Sequence, residues 1–346
     1  MLSGALLSGG LRRGMGRAAT NARFFALAAV AAVGGVQILD GRATAKTIRA
    51  ELAREVEALK TRRGVTPGLG VVLVGDRRDS KTYVRMKQSA AAEVGVHCVD
   101  ALLPDTCSET EIVDAVEAMN ADPAVHGILV QLPLPDHVDE ARVLSRIAAT
   151  KDADGFADAN VARLNRAGGP PPLAMPCTPA GCVELLQRYD VPLAGKRAVV
   201  LGRSNVVGAP VAALLQQCDA TVTVCHSRTE DTAAILGHAD VVIAAIGRAE
   251  YVRGSWLKPG CVVIDVGINA VDDVTKKAGY RLVGDVNFDE AAAVASAVTP
   301  VPGGVGPMTI AMLLSNVVNL TKASLGEAPD PLPGRLGDAA DFFTGS

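Results

Sequence analysis

The stretch "KRAVVLGRSNVVGAP", Lys196–Pro210, decides how the second half of the chain is read. Aliphatic and β-branched residues run up to Gly202 and a helix-like run follows, the strand–turn–helix order of a dinucleotide-binding fold. The pattern G-x-G-x-x-G asks for a second glycine where Ser204 stands, and Gly208 comes one position late. Glycine at the strand end allows a tight bend and close approach of backbone N–H groups to a pyrophosphate, while the helix N-terminus adds partial positive charge. Ser204 is small and can donate a hydrogen bond, so the altered turn is chemically serviceable. Taken alone, it is equally an ordinary βα turn.

The end of the next strand narrows this. A dinucleotide without a 2′-phosphate is held by an acid about 20 residues on, whereas a 2′-phosphate needs cations and donors. "CHSRT", Cys225–Thr229, has His226, Ser227 and Arg228 and no acid, and Arg203 protrudes from the turn. NADP is therefore favoured over NAD. The alternative is that Arg203 and Arg228 pair with Glu230 or Asp231 at the surface.

Outward from this motif, short β-rich runs alternate with helical ones from Gln37 onward, which predicts an α/β fold of two α/β domains. "LGVVLVG" (69–75), "VHCVDALL" (96–103) and "VHGILVQLPLP" (125–135) read as strands of a small parallel sheet. Between them "SKTYVRMKQSAAAEVG" (80–95) reads as a helix with Ser80 as N-cap and Gly95 as stop, and Ser108 with Glu111 forms a capping box. The Pro- and Gly-rich "NRAGGPPPLAMPCTPAG" (165–181) reads as the interdomain crossing. Beyond it the spacing predicts a Rossmann-like unit: strand 196–202, helix 206–217, strand 220–227, helix 229–239, and strands 240–247 and 260–267. A last helix, 308–323, follows, and a tail from Gly326 reads as disordered.

With 346 residues the chain is long enough for about two domains of ~150 residues. A net charge of −3 gives no reason to expect a nucleic-acid partner. The seven cysteines form no CxxC pair and the histidines no HExxH, so neither a disulfide framework nor a metal site is expected and a reducing compartment fits. Residues 1–35 carry Arg12, Arg13, Arg17 and Arg23 with no acid before Asp40, the composition of an organelle transit segment. The apolar run Phe24–Val33 is too short to span a bilayer. Mitochondrial import is the expectation, with plastid and secretory routes as alternatives; no membrane anchor is expected.

In the first half, Tyr83 and Lys87 stand four residues apart on one helical face near strand C-terminal ends, where open parallel sheets bind ligands. Gln131 ends a strand just before prolines, and "KDADG" (151–155) puts two carboxylates in a loop. A lysine, an amide and an aspartate suit a heterocycle bearing amide-like groups; a surface Tyr–Lys couple is the plainer reading. "TPVPGGVGPMTIAML" (299–313) leaves an open backbone before a helix with Pro307 in its first turn, either an interdomain hinge or a loop that closes over ligand.

With these residues in place, the chain resembles the bifunctional methylenetetrahydrofolate dehydrogenase/cyclohydrolase, or FolD-like, family. The resemblance runs through "ILDGRATAKTIRAEL" (38–52), "DSKTYVRMK", "GILVQLPLP", "KDADGF", "PCTPAG", "GRSNVVGAP", "TVCHSRT", "DVGIN", "GDV" and "PVPGGVGPMT", in the family's order over almost all of residues 36–324. It implies two α/β domains around a cleft, a folate-binding one over 36–182 completed by helix 308–323 and an NADP-binding one over 183–307, and a homodimer formed through the latter. It implies oxidation of 5,10-methylenetetrahydrofolate with reduction of NADP, then hydrolysis to 10-formyltetrahydrofolate. By the same resemblance Lys87 is the catalytic lysine, Gln131 its support, Tyr83 part of the folate wall and Asp154 the anchor of the pterin. The folate site would also take Val84, Arg85 and Met86, with Val130 and Leu132, and the loop Pro302, Gly303, Gly304, Val305 and Gly306. The cofactor positions are Gly202, Arg203, Ser204, Ser227, Arg228 and Ile268.

Some mitochondrial relatives use NAD with magnesium and phosphate; "HSRT" is more similar to the NADP-using members. No formyltetrahydrofolate synthetase domain is expected after residue 346. Rival readings are a shikimate-type two-domain dehydrogenase and a non-catalytic nucleotide-binding regulator, against which the joint presence of Tyr83, Lys87, Gln131 and Asp154 argues.

Overall fold

A computed structural model describes residues 35–166, 170–277 and 279–328. The expected leader, save Gly35, and the expected tail beyond 328 lie outside the described residues. The first part runs β1 (Gln37–Ile38), α1 (Gly41–Arg63), β2 (Gly68–Val74), α2 (Arg78–Val94), β3 (His97–Leu103), α3 (Glu109–Ala121), β4 (Gly127–Val130), α4 (Glu140–Leu144), α5 (Asp158–Leu164) and α6 (Cys177–Arg188). The second runs β5 (Arg197–Leu201), α7 (Gly208–Gln217), β6 (Thr221–Cys225), α8 (Thr232–Leu236), β7 (Val241–Ala244), β8 (Val262–Asp265), β9 (Asn269–Asp272), β10 (Tyr280–Val283), α9 (Phe288–Ala292), β11 (Ala297–Val298) and α10 (Val305–Ser324).

Two parallel sheets carry the molecule. One has the order β3-β2-β4; the other has six strands in the order β1-β11-β8-β7-β5-β6. All seven residues of β2 are buried, as a central parallel strand covered on both faces requires. In the larger sheet β5 lies between β6 and β7, so the chain order reverses there. The crevice beyond the C-terminal end of β5 is thus the topological switch point, where such sheets bind ligands.

Local chemistry sets several helix ends as expected. Ser108 Oγ accepts from the Glu111 N–H at 3.3 Å while Glu111 Oε2 accepts from the Ser108 N–H at 2.7 Å. Gly95 closes α2 in the left-handed conformation, φ 85°.

Elsewhere the structure differs from the sequence reading. Helix α2 begins at Arg78, so Ser80 is no cap but a buried first-turn residue, 4% exposed. Residues 177–181 are not part of an irregular crossing: they open α6, with Pro179 in its first turn, where a missing N–H costs no hydrogen bond. The Gln37–Ile38 strand pairs with Ala297–Val298 of the six-stranded sheet rather than with its neighbours in sequence. A hairpin, β9–β10, was not foreseen, its strands being short and rich in polar residues.

Helix α10 is buried along much of its length and packs on α1 and α6, completing the three-stranded unit. Met308, Leu313, Leu314, Val317 and Val318 enter the main core, each such side chain stabilising by about 1.5–3 kcal/mol. No helix among the described residues is long and apolar enough to cross a membrane.

Candidate active site

Two neighbouring cavities lie at the strand ends. The first, about 360 Å³, is walled by Ser80, Tyr83 and Lys87 from α2, Gln131 and Leu132 after β4, Thr178 from α6, and Val305, Gly306, Thr309 and Ile310 from α10. Val207, Val266 and Ile268 of the six-stranded unit close it from the other side. The spacing 80, 83, 87 puts the α2 residues on one helical face. Lys87 Nζ donates to Gln131 Oε1 at 3.0 Å, and Gln131 Nε2 donates to the Leu132 carbonyl at 2.8 Å. The second bond fixes which way the amide faces, so its oxygen is presented to the ammonium.

The two aspartates of "KDADG" do different work. Asp152 is buried and accepts from the Gly155 and Ala157 N–H groups and from Asn160 Nδ2, which fixes the loop. Asp154 is left close to Lys87, and burial pushes its carboxyl up to about 6, against the pull of the Lys87 ammonium. The Cys177 thiol, 3.8 Å from Asp154 Oδ1, is raised well above its ordinary value by burial and by the same carboxylate, and so stays a neutral donor.

The second cavity, about 330 Å³, sits at the switch point. Gly202, Arg203 and Ser204 form its floor, Cys225, His226, Ser227 and Thr232 one side, and Ala245, Ile246, Arg248 and Tyr251 the other. Gly202 has φ 110°, a conformation that favours glycine. A Cβ on Gly208 would run into the Gly202 carbonyl, so the late glycine lets helix α7 start against the strand end. Ser204 Oγ accepts from the Val207 and Gly208 N–H groups at 3.2 and 3.3 Å, capping two donors of the turn. The backbone cradle suits a pyrophosphate, and Arg203 with His226 and Ser227 suits a phosphorylated ribose. Neither Arg203 nor Arg228 forms an ion pair among the described residues.

Behind this cavity lies a buried carboxylate knot. Asp285 Oδ2 accepts from the Ile246 and Gly247 N–H groups at 2.7 and 3.0 Å, and Oδ1 from the Arg248 N–H and Asn269 Nδ2, both at 2.9 Å. Asp265 in turn accepts from the Gly267, Asp285 and Val286 N–H groups. Burial raises the Asp265 carboxyl to about 7, with Asp285 adding to the rise and the N–H donors opposing it. A Cβ at residue 284 would collide with the Asp265 carboxylate, which explains a glycine before Asp285.

Two family patterns match the chain: "Tetrahydrofolate dehydrogenase/cyclohydrolase, catalytic domain" over residues 39–154 and "Tetrahydrofolate dehydrogenase/cyclohydrolase, NAD(P)-binding domain" over residues 176–325. The chain belongs to the tetrahydrofolate dehydrogenase/cyclohydrolase family. It is 55% identical over 289 residues to the bifunctional protein FolD 4, chloroplastic, of Arabidopsis thaliana, which covers 84% of this chain and 80% of that protein. It is 53% identical over 285 residues to FolD 1, mitochondrial, of the same plant, covering 82% and 81%. Among solved structures, the Trypanosoma brucei FolD enzyme, complexed with NADP and an inhibitor, aligns with TM-score 0.80 at 46% identity over 84% of this chain and 98% of that one.

Among the residues taken from the tetrahydrofolate dehydrogenase/cyclohydrolase resemblance, Tyr83, Lys87, Gln131, Leu132, Val305 and Gly306 share the first cavity. Asp154 does not line that cavity, though the Lys87 charge reaches its carboxyl. Val84 and Val130 point into the core, and Arg85 and Met86 are exposed off the cavity wall. Pro302, Gly303 and Gly304 stand back from it; the Gly303 carbonyl accepts from the Arg42 N–H at 3.0 Å. Gly202, Arg203, Ser204 and Ser227 share the second cavity, whereas Ile268 lines the first and Arg228 neither. Thr178, Val207, Arg248, Tyr251 and Asp285 escaped the sequence reading. Only "GDV" hinted at Asp285, and it gave no partner.

Proposed function

We propose that the first cavity holds the folate and the second the NADP of an enzyme that oxidises 5,10-methylenetetrahydrofolate to 5,10-methenyltetrahydrofolate and hydrolyses that product to 10-formyltetrahydrofolate. The three-stranded unit with α10 is then the folate-binding domain and the six-stranded unit the NADP-binding domain. The observation that carries this reading is the Lys87–Gln131 pair, 3.0 Å apart, facing Val207 and Ile268 of the nucleotide unit across one cavity.

When bound, NADP supplies the hydride acceptor. The carbon that gives up hydride is flanked by N5 and N10, whose lone pairs stabilise the cation left behind, so the protein orients the folate and needs no general base. Tyr83 offers a face against the folate and Asp154 an acceptor for the donors of the pterin. In the hydrolysis, water adds to the methenyl carbon, and Lys87, aimed by Gln131, moves the proton between that water and the folate nitrogen. The N5–carbon bond breaks with its electron pair going to N5, which takes up one of the two water protons; the other is released and the formyl group stays on N10.

Lys87→Met tests the assignment: NADP reduction persists in part while methenyl decay, followed by absorbance, drops about 10²–10⁴-fold. Loss of NADP reduction with hydrolysis spared would reverse the roles. Running the reduction with NADP or NAD, each with and without magnesium and phosphate, separates the NADP reading from the NAD one.

Import into mitochondria, with the plastid as alternative, is supported by the arginine-rich, acid-free first 35 residues. A homodimer through the nucleotide unit is supported by its edge strand β6, where Val224 is exposed, and by the exposed Tyr280 and Leu282 of β10.

A further inference from the structure

The second cavity has a wall that phosphate recognition does not explain. Strand β5, with the Gly202 turn at its end, lies between β6 and β7. His226 and Ser227, suited to the 2′ position of a ribose, come from the β6 side. The facing side, after β7, is Ile246, Arg248 and Tyr251. A base attached to a ribose read from β6 has its room between these two sides.

Arg248 is exposed yet held at both ends. Its N–H donates to Asp285 Oδ1 at 2.9 Å, and its guanidinium carbon lies 4.3 Å from the centroid of the Tyr251 ring. Tyr251 meets Trp256 edge-on, the centroids 5.4 Å apart at 80°. No ion pair engages Arg248 among the described residues. A planar guanidinium with one face on a tyrosine has a second face of the same shape, and such faces stack on purines as they do on aromatic rings.

We infer that Arg248, held against Tyr251, is the stacking platform for the adenine ring of the dinucleotide. The inference rests on the NADP reading above and divides the labour of the cavity. Arg203 and Ser227 distinguish NADP from NAD; Arg248 serves the part that the two share.

The test is the affinity of the full chain for NADP and for NAD, by calorimetry and by emission of Trp256, the single tryptophan, which stands one ring away. Arg248→Ala should weaken both nucleotides by the same factor, about five- to thirtyfold. Arg248→Lys keeps the charge and loses the plane, so it should bind as poorly as the alanine variant. A loss confined to NADP, full affinity in the lysine variant, or no loss in either variant would each overturn the inference. Wild-type protein that bound neither nucleotide would overturn the NADP reading itself, a result distinct from those three.

Discussion

Asp285→Asn should loosen the cofactor side of the molecule more than any other single exchange of similar size. Asp285 is fully buried, and its two oxygens take four donors, three of them consecutive N–H groups of the loop after β7. Asparagine keeps one acceptor oxygen and turns an NH₂ group toward two of those donors. Two bonds to a charged acceptor at about 1.5–3 kcal/mol each amount to roughly 3–6 kcal/mol. Relief of the neighbouring Asp265, whose carboxyl is held up chiefly by burial and in smaller part by the Asp285 charge, offsets only part of this. The expected net loss is about 2–5 kcal/mol in urea unfolding followed by Trp256 emission. Because the freed segment, Ile246 to Arg248, walls the nucleotide cavity, Kd for NADP should rise about tenfold or more, equivalent to about 1.4 kcal/mol. Hydrolysis of the methenyl substrate, in the other cavity, should change far less. The pH dependence has a definite sign. Asp265 binds its proton more tightly folded than unfolded, so it costs the wild-type protein stability as pH rises from about 4 to about 7, by at most ~1.4 kcal/mol per unit. That slope should shrink in the variant. An unchanged urea midpoint together with unchanged NADP affinity would refute the reasoning.

Asp154, raised to about 6, should impose a limb on the dehydrogenase: kcat/KM for the folate falls as pH drops through 6, approaching tenfold per unit. Asp154→Asn should remove the limb, and a flat wild-type profile between pH 5 and 8 would sink the role. Arg203→Ala should raise KM for NADP about tenfold or more, as loss of a charge-assisted phosphate contact does, and leave KM for the folate nearly unchanged. An equal effect on both would return the Gly202 turn to plain architecture.

What the sequence revealed follows from how local each feature is. Buried strands and the Ser108–Glu111 box were readable because side-chain pattern and cap chemistry act within a few residues. Lys87 is legible on a helical face, Gln131 at a strand end and Asp154 in a loop, but nothing local brings Asp154 under the influence of the Lys87 charge and off the cavity wall. The Pro179–Gly181 stretch misled because proline and glycine also serve helices. Pro179 sits in a first turn, and a Cβ on Gly181 would press on Met308 of α10, 2.9 Å from its Cβ. Ser80 misled because its hydroxyl suits a cap, while the helix starts two residues earlier. The knot joins segments up to 39 residues apart, a separation over which no periodicity speaks, and the Arg248–Tyr251 stack, its partners only three residues apart, lies in a loop that carries no periodic pattern.

The pairing of β1 with β11 and the docking of α10 on α1 and α6 have a bearing on how the chain is made. Residues 37 and 38 wait for 297 and 298 before they join a sheet, and the three-stranded unit lacks a wall of its core until residues 305–324 leave the ribosome. Each unit is therefore finished by the far end of the chain. Synthesis from the N-terminus cannot release a completed three-stranded unit first, and a fragment cut just after α6 would expose the apolar faces of α1 and α6 to any chaperone or protease nearby.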